Sequence, residues 1–375
     1  DAPRKRGAGG MVAAVVVAAL VAGGVGGALG FWAADSNGSG SSGSTTVAAS
    51  GTPQDLKRDP GTVAGVAAKA LPSVVTIDAQ GGDGEGGTGT GFVYDKEGHI
   101  LTNNHVVASA ADSGQLTATF SNGKKYDAEV VGRAQGYDVA VLKLKNPPKG
   151  LTPLPLGNSD QVAVGDSTIA IGAPFGLSNT VTTGIISAKN RPVASGDGSG
   201  GSNSYMSALQ TDASINPGNS GGPLLSAGGA VIGINSAIQS AGSTGQSQAG
   251  SIGLGFAIPI NQAKNVAQQL IKTGQPVYPV IGATVTMDEK TGGAVISDQG
   301  AGGTEAVTKD GPAARAGLRA GDVITKFNDT VVDSGPTLIG EIWTHKPGDT
   351  VTLTYKRDGK TSTVEVTLGE RKGDS

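Results

Sequence analysis

Short runs of β-branched and aromatic residues, separated by Gly, Asn or Asp turns, recur along the chain from residue 74 to residue 258. Runs of this length and composition are typical of β-strands. Many short strands at such spacing predict a barrel or sandwich architecture. The runs are 74–77, 91–94, 99–102, 116–120, 128–131, 139–142, 167–171, 180–186, 230–234 and 255–258.

Two segments interrupt the strand pattern with helical spacing. Residues 62–71 predict a short helix that ends at Pro72. Residues 261–273 carry apolar side chains three and four apart, which predicts a longer helix capped by Asn261 and stopped by Gly274. This helix closes the first folded unit. A second, smaller unit of strands with one short helix follows and runs to about Arg371.

The N-terminus pairs a basic cluster, 4–6, with an uncharged stretch from Met11 to Trp32. About 20 apolar residues span a bilayer, and preceding basic residues favour the cytoplasm. We therefore expect a cytoplasmic segment over 1–10 and a transmembrane helix over 11–32. The protein is then single-pass in the cell membrane, with the later parts extracytoplasmic. A cleaved signal peptide ending at the small residues 28–30 is the alternative. The Gly/Ser-rich residues 33–61 predict a flexible linker.

Composition narrows the possible partners and cofactors. The 28 basic and 31 acidic residues leave a net charge of -3, and no basic stripe marks a nucleic-acid site. The chain has no cysteine, which excludes disulfides, thiol catalysis and thiolate metal sites. Only 3 histidines are present, so the sequence predicts neither a metal centre nor another cofactor.

The octet 216–223, Asn-Pro-Gly-Asn-Ser-Gly-Gly-Pro, places Ser220 in a glycine-rich turn. A serine hydroxyl attacks a carbonyl only when an imidazole takes its proton and a carboxylate orients that imidazole. His105 and Asp138 stand upstream in that order. The turn around Gly218, Asn219 and Ser220 could aim backbone N–H groups at a developing oxyanion, as an oxyanion hole does. We therefore predict a catalytic triad of His105, Asp138 and Ser220.

The same residues also satisfy Gly-x-Ser-x-Gly, the nucleophile elbow of α/β-hydrolases. That fold places its histidine last, which here would be His345 in a turn of the second unit. The alternating strand and helix rhythm of that fold is missing. An ordinary glycine-rich β-turn is a further alternative. Neither the hydrolase elbow nor a plain turn explains why the motifs of His105, Asp138 and Ser220 occur together.

From residue 62 to residue 371 the chain resembles the HtrA (Deg) family of trypsin-like serine proteases. The resemblance rests on Thr-Asn-Asn-His-Val-Val around His105, Asp-Val-Ala-Val-Leu-Lys from Asp138, and the octet around Ser220. It implies a mainly β fold, with a double β-barrel protease domain over 62–275. It also implies a general base at His105, an orienting carboxylate at Asp138 and a nucleophile at Ser220.

The resemblance extends to less distinctive positions. It implies that Ile215 and Ile234, with Gly233 and Asn235, line the substrate pocket and favour small or medium apolar side chains at the cleavage site. It implies that Arg191 helps to couple activation loops. A purely structural ion pair is the alternative for Arg191.

Residues 311–324 resemble the most recognisable segment of PDZ domains, a short helix followed by a turn and a strand. This implies a small α+β PDZ domain over 276–371 that binds peptide C-termini as an added strand. A packing module that only supports the protease is the alternative. By analogy, the carboxylate-binding loop consists of Val280, Ile281, Gly282 and Ala283.

Together these features lead to one expected function. We expect a membrane-tethered, extracytoplasmic serine endopeptidase that cleaves unfolded or mislocalised proteins and is regulated through its PDZ domain. The family resemblance also implies a homotrimer. The alternative function is a chaperone or peptide-binding module whose protease site is idle at rest.

Overall fold

The structure, a computed structural model, describes most of the chain from residue 58 onward. The predicted segments 1–10 and 11–32, and most of the linker 33–61, lie outside the described residues. Within the described part, no helix has the length and apolar character needed to span a membrane. The described ranges are 58–82, 86–111, 114–173, 180–195, 204–236, 251, 253–287, 292–300 and 303–374.

The first half of the protease region is a closed antiparallel β-barrel. It is preceded by a helix, and a one-turn helix follows its third strand. The order β1-β2-β3-β6-β5-β4 closes because the first strand bonds to both the second and the fourth. The elements are α1 (Val63–Ala70), β1 (Val74–Gln80), β2 (Gly86–Val93), β3 (His99–Thr102), α2 (Asn104–Val107), β4 (Gln115–Phe120), β5 (Lys125–Ala134) and β6 (Val139–Leu144).

Local sequence explains the edges of these elements. The hydroxyl of Thr62 caps α1 by accepting from the backbone N–H of Gly65 at 3.1 Å. The helix ends at Ala70, and Pro72 lies in the 3₁₀ turn that follows. In β4, alternate residues are buried, because successive side chains of a strand point to opposite faces.

The second half of the protease region is another closed antiparallel barrel. Its strands pair in the order β10-β11-β12-β9-β8-β7, and the first and last of these also pair with each other. The predicted double barrel is therefore present, and the sandwich alternative is wrong. The strands are β7 (Ser167–Gly172), β8 (Thr180–Ser195), β9 (Ser204–Thr211), β10 (Pro223–Ser226), β11 (Val231–Ser236) and β12 (Gly255–Pro259).

Helix α3 (Ile260–Thr273) follows the second barrel directly. Gly274 ends it in a left-handed conformation with φ 74°, as predicted. The predicted cap is wrong, because the helix begins one residue earlier and Pro259 occupies the N-cap position. The side chain of Asn261 instead donates to Asn158 Oδ1 at 2.7 Å, which ties the helix to the loop before β7.

Over its described residues, the C-terminal unit forms two small sheets and contains two helices rather than the one predicted. A two-stranded sheet pairs the entry and exit of the unit, and a larger sheet has the order β14-β15-β17-β18 with β16 beside β15. The elements are β13 (Val277–Val280), β14 (Ala294–Val295), α4 (Pro312–Arg315), β15 (Val323–Phe327), β16 (Thr330–Val331), α5 (Gly335–Ile342), β17 (Thr350–Arg357), β18 (Lys360–Thr367) and β19 (Gly369–Lys372).

One hydrophobic core joins the two barrels and another fills the C-terminal unit. The first contains Phe92 and Leu101 from the first barrel, Ile171 and Ile234 from the second, and the inner face of α3. The second lies within the C-terminal unit and includes Phe327, which is 1% exposed. The barrels are therefore held against each other by a shared apolar layer.

The C-terminal unit packs directly on the barrels. An aromatic cluster forms there from Tyr137 and Tyr205 of the barrels with Tyr278 and Trp343 of the C-terminal unit. The rings of Tyr137 and Tyr278 stack with centroids 4.5 Å apart and an interplanar angle of 11°. On α5, the buried Glu341 accepts a hydrogen bond from Ser207 of β9 at 2.9 Å. The contact thus combines stacked rings with a buried polar pair.

Candidate active site

His105 and Asp138 meet because of the pairing of the strands that flank them. Strand β3 pairs with β6 so that Thr102 lies opposite Ala140. His105 follows the end of β3 on α2, and Asp138 immediately precedes β6, so both stand at the same edge of the barrel. His105 Nδ1 lies 2.9 Å from Asp138 Oδ2 and 3.0 Å from Oδ1. The structure thus brings the predicted base and orienting carboxylate together.

The surroundings of Asp138 keep it in place as an acceptor. Its side chain is buried, while that of His105 is 39% exposed. Asp138 also accepts from the backbone N–H of His105 at 3.1 Å and from Ser236 Oγ at 3.4 Å. The amide of Asn103 donates to the Asp138 carbonyl at 2.8 Å. Asp138 adopts φ 53°, a left-handed conformation that Asp tolerates better than most residues.

The electrostatics at His105 favour a protonated imidazole. Desolvation would lower the pKa of His105, but the charge of Asp138 and their hydrogen bond outweigh it, so the pKa is raised above its ordinary value. A carboxylate that stabilises the imidazolium is what a general base needs when it takes the proton of a serine. Because only the neutral imidazole can accept that proton, activity falls as pH drops through this raised pKa.

Ser220 lies in the turn that enters β10, at the junction of the two barrels. Its carbonyl accepts from the backbone N–H of Thr90 on β2 at 2.8 Å. On the other side, Gly221 N–H donates to the Asn235 carbonyl at 2.9 Å and Asn235 N–H donates to the Gly222 carbonyl at 2.8 Å. The loop that carries the serine is therefore bonded to both barrels.

The turn before Ser220 has a defined conformation. Asn219 N–H donates to the Asn216 carbonyl at 2.9 Å, and Gly218 has φ 99°. Proline at 217 and positive φ at the next residue identify a type II turn. A type I turn differs by a flip of the central peptide, so it would present the Pro217 carbonyl where this turn presents the Gly218 N–H. The Gly218 carbonyl is held by Thr90 Oγ1 at 2.6 Å.

Gly221 and Gly222, which follow Ser220, are needed because neighbouring strands of the protein pack closely against them. The sequence suggests that Gly221 and Gly222 leave room for a substrate backbone. In the structure, a Cβ on Gly221 would meet the carbonyl of Thr90 and the hydroxyl of Thr102, and one on Gly222 would meet the Ile171 carbonyl. The close neighbours are thus strands β2, β3 and β7, which corrects the expected reason for these glycines.

The predicted pocket residues occupy different surroundings. Ile215 is 7% exposed and belongs to a small apolar cluster in the second barrel. Gly233 lies against β12, since a Cβ there would be 3.0 Å from Ala257 Cβ. Ile234 is fully buried in the core shared by the barrels, and the buried Asn235 amide donates to the carbonyls of Ile171 and Pro223. Ile234 and Asn235 therefore have structural contacts of their own.

Arg191 lies at an irregular point of β8, where the pairing with β9 shifts register. It is exposed, and its Nε donates to Gln210 Oε1 on β9 at 3.1 Å. Nearby, Asp212 Oδ1 accepts from the backbone N–H of Ile185 at 2.7 Å. The assignment of Arg191 to loop coupling stays a prediction.

The predicted carboxylate-binding loop, Val280 to Ala283, begins at the last residue of β13 and leads into the rest of the C-terminal unit. The Ile281 carbonyl accepts from Ala313 N–H at 2.7 Å and the Gly282 carbonyl accepts from Thr308 N–H at 2.9 Å. Both carbonyls are thus bonded within the unit. Its peptide-binding role stays a prediction.

The remaining histidines have partners outside the triad. His99 begins β3, and its Nδ1 lies 2.5 Å from Asp95 in the preceding turn. With Glu97 these residues bring ligand atoms within 4.8 Å, close enough for a metal ion among the described residues. However, Asp95 already accepts from the backbone N–H groups of Glu97 and His99 at 3.0 Å, as a turn-capping residue does. His345 contacts Thr344 in the C-terminal unit at 2.9 Å.

Sequence reasoning missed several residues that support the site. Thr90 holds both the Ser220 and Gly218 carbonyls, and Asn103 and Ser236 bond to Asp138. Asn103 lies two residues before His105 in the Thr-Asn-Asn-His motif, so this proximity could have indicated that it supports the site. Thr90 and Ser236 are distant in sequence, and only the fold shows their contacts.

Two closed antiparallel barrels, with a His–Asp pair on one and a serine-bearing turn on the other, define the class of trypsin-like serine proteases. The chain matches the Trypsin-like peptidase domain family over residues 89–234 and the PDZ domain family over residues 279–368. It is 42% identical to "Serine protease PepD" of Mycobacterium tuberculosis over 98% of this chain and 79% of that protein.

Other relatives and solved structures extend this result. The chain is 38% identical to "Protease Do-like 1, chloroplastic" of Arabidopsis thaliana over 77% of this chain, and spans 65% of that protein. The fold matches "HtrA-type protease AlgW with tripeptide" with TM-score 0.60 and 36% identity, covering 83% of this chain and 97% of that one. The chain belongs to the HtrA family of serine endopeptidases and carries a single PDZ domain.

Proposed function

We propose that this protein is a membrane-tethered, extracytoplasmic endopeptidase that degrades unfolded or mislocalised proteins. The observation that carries the catalytic part is the contact of His105 with Asp138 at 2.9 Å, in a fold that also bonds the Ser220 loop to both barrels. The basic cluster ahead of residues 11–32 supports the membrane anchor and the external location. "Probable periplasmic serine endoprotease DegP-like" of Brucella suis, 38% identical over 76% of this chain and 53% of its own length, is consistent with an extracytoplasmic site.

The reaction follows from the residues of the site. Ser220 Oγ attacks the carbonyl carbon of a peptide bond while His105 takes its proton, and Asp138 stabilises the resulting imidazolium. The tetrahedral intermediate collapses as the imidazolium gives its proton to the leaving amine, which leaves an acyl ester on Ser220. Water, deprotonated by His105, then hydrolyses the ester. Gly218 and Ser220 supply N–H groups for the oxyanion, and Asn219 lies between them in the turn.

The apolar surroundings of Ile215 support a preference for small or medium apolar side chains at the cleavage site. Unfolded proteins expose such side chains, whereas native proteins bury most of them. Substrate choice therefore depends on the loss of fold more than on one sequence motif.

The C-terminal domain supplies the regulatory part of the proposal. We assign the binding of peptide C-termini to the loop Val280 to Ala283, and the transmission of that binding to a path that includes Arg191. Related structures titled "HtrA-type protease AlgW with tripeptide" and "HtrA-type protease AlgW with decapeptide" support peptide binding in this family. A homotrimer is the expected assembly.

Ser220→Ala tests the proposal with casein as an unfolded substrate. We expect cleavage to fall at least about a thousandfold, because the remaining site keeps only binding and oxyanion stabilisation. A folded, stable protein serves as the control substrate. Cleavage that is unchanged in Ser220→Ala would refute the assignment.

Peptides with free C-termini test the regulatory part of the proposal. Adding them should raise the rate of casein cleavage, while the same peptides with amidated C-termini should not.

A fluorophosphonate probe separates this proposal from a site that is idle at rest. The type II turn at Gly218 favours an oxyanion hole that is formed without an activator, so we expect the resting protein to be labelled at Ser220. Labelling that appears only after peptide addition would instead support the idle chaperone-like state. The Ser220→Ala variant gives the background of the probe.

A further inference from the structure

The turn just before Asp138 is held by residues outside the trypsin-like domain. Gln135 N–H donates to Asp374 Oδ2 at 3.0 Å, and Gly136 N–H donates to the Tyr278 hydroxyl at 3.0 Å. The Tyr278 hydroxyl itself donates to Asp374 Oδ1. Two successive backbone donors of the turn are therefore bonded to side chains of the C-terminal unit.

Aromatic packing holds the same turn from a second side. Tyr137 stacks on Tyr278 at 4.5 Å, and its hydroxyl donates to the Val277 carbonyl at 3.3 Å. Trp343 packs on both rings, with centroids 5.3 and 4.9 Å away. Tyr137 and Tyr278 are 4% and 0% exposed, so the stacked rings themselves are shielded from water.

Burial and the neighbouring Asp374 keep the Tyr278 hydroxyl protonated, so that it can act as a donor. Burial, followed by the hydrogen bond to Asp374, raises the pKa of Tyr278 well above its ordinary value. The guanidinium of Arg371 also lies over the Tyr278 ring, 4.7 Å from its centroid. A neutral hydroxyl can thus accept from Gly136 and donate to Asp374 at the same time.

Asp138 has little freedom to move independently of this turn. Its N–H donates to the Gln135 carbonyl at 3.0 Å, and its positive φ requires the turn to hold its shape. A shift of the turn therefore moves the carboxylate that faces His105. A misplacement of about 1 Å in a catalytic group can cost about a hundredfold in rate.

We propose that Tyr278 and Asp374 are positioning residues for the reaction: they fix the turn Gln135–Tyr137 and thereby hold Asp138 against His105. The inference rests on the assignment of Asp138 to the triad. It makes the catalytic geometry of the barrels depend on the docked C-terminal domain through hydrogen bonds to the backbone of one turn.

Tyr278→Phe in the full chain tests this directly, since it keeps the stacked ring and removes only the hydroxyl. We expect kcat per titrated active site to fall about tenfold with KM within about twofold, because the substrate contacts are untouched. The acid limb of the kcat/KM profile should move to lower pH. This follows because a displaced Asp138 raises the pKa of His105 less.

Asp374 provides a graded second test at an exposed position, where a substitution leaves no buried cavity. Asp374→Ala removes both acceptors and should lower kcat more than Asp374→Asn, which keeps one acceptor oxygen. Tyr355→Phe is the matched control, because Tyr355 also lies in the C-terminal unit under an arginine, with Arg357 5.1 Å from its ring centroid. The control should behave as the unsubstituted protein.

The outcomes separate the inference from the proposed function. If Ser220→Ala and Asp138→Asn abolish cleavage but Tyr278→Phe and Asp374→Ala leave kcat and the acid limb unchanged, the positioning role is refuted. A lower kcat with an unmoved acid limb also refutes it, because that result indicates a general loss of structure. If Tyr278→Phe does not unfold cooperatively, Asp374→Ala and Asp374→Asn decide the question by the same two measurements, kcat and the acid limb of the kcat/KM profile. Full activity in Ser220→Ala and Asp138→Asn would instead refute the triad itself.

Discussion

Gly221→Ala probes how tightly the loop of Ser220 is packed between the barrels. Gly221 has φ 84°, and a Cβ there would lie closer than 3.0 Å to the Thr90 carbonyl and to Thr102 Oγ1. Neither neighbour can easily move. Thr102 Oγ1 donates to that same Thr90 carbonyl at 2.7 Å, and Thr90 N–H donates to the Ser220 carbonyl.

Two costs add in this substitution. A left-handed backbone costs a non-glycine residue about 1–2 kcal/mol. Overpacking costs about 1–3 kcal/mol more, because the neighbours must retreat by more than about 1 Å to reach an ordinary contact of about 3.5 Å. We therefore expect Gly221→Ala to lower the free energy of unfolding by about 2–5 kcal/mol. If the loop moves instead, the strain is relieved and kcat falls, by about a hundredfold for a shift of about 1 Å.

Gly123→Ala is the matched control. Gly123 has φ 79° but no atom within 4 Å of the Cβ position, so only the backbone cost of about 1–2 kcal/mol applies. Urea unfolding followed by circular dichroism gives both stabilities, and limiting rates divided by the titrated concentration of active sites give kcat. If Gly221→Ala were as mild as Gly123→Ala in both stability and kcat, the packing argument would be wrong.

Two further predictions concern buried residues. Burial raises the pKa of Glu341, although contacts with Ser207, His345 and Thr330 oppose the shift. The contribution of Glu341 to the free energy of unfolding is therefore full in acid, and it is lost as pH rises through the raised pKa. Glu341→Gln keeps an acceptor for Ser207 and stays neutral at every pH. It should therefore stabilise the protein in urea unfolding at about pH 7.5, where Glu341 ionises, but not near pH 4. An equal effect at both pH values would contradict this. Ile234→Ala should cost about 2–5 kcal/mol without changing cleavage-site preference, measured on a peptide library. Altered preference at unchanged stability would contradict this and support the predicted pocket role of Ile234.

The strands and the triad could be predicted because their signals are local. Short β-rich runs between turns indicated a barrel or sandwich, and the family resemblance implied the double barrel. The motifs around His105, Asp138 and Ser220 carry their chemistry in adjacent residues. The cap of α3 was misplaced by two residues, from Pro259 to Asn261. A capping side chain and one that bonds across to Asn158 look alike in sequence.

The contacts between domains could not be predicted from sequence. Tyr137 and Tyr278 are 141 positions apart, and nothing in either neighbourhood indicates that the rings stack. The same holds for Gly221, whose lack of a side chain was ascribed to substrate although strands β2 and β3 fill that space. Such contacts depend on how the barrels and the C-terminal unit dock, which no local pattern describes.

The pairing of β13 with β19 brings the two ends of the C-terminal domain side by side. Val277 lies opposite Lys372, and Gly373 N–H donates to the Pro276 carbonyl at 2.9 Å. The hydrogen bonds between β13 and β19 therefore hold the beginning and the end of the domain together. Tension applied between the barrels and residue 374 would peel these two strands apart from their Val277–Lys372 end, one hydrogen bond after another, while the β14-β15-β17-β18 sheet stays unloaded.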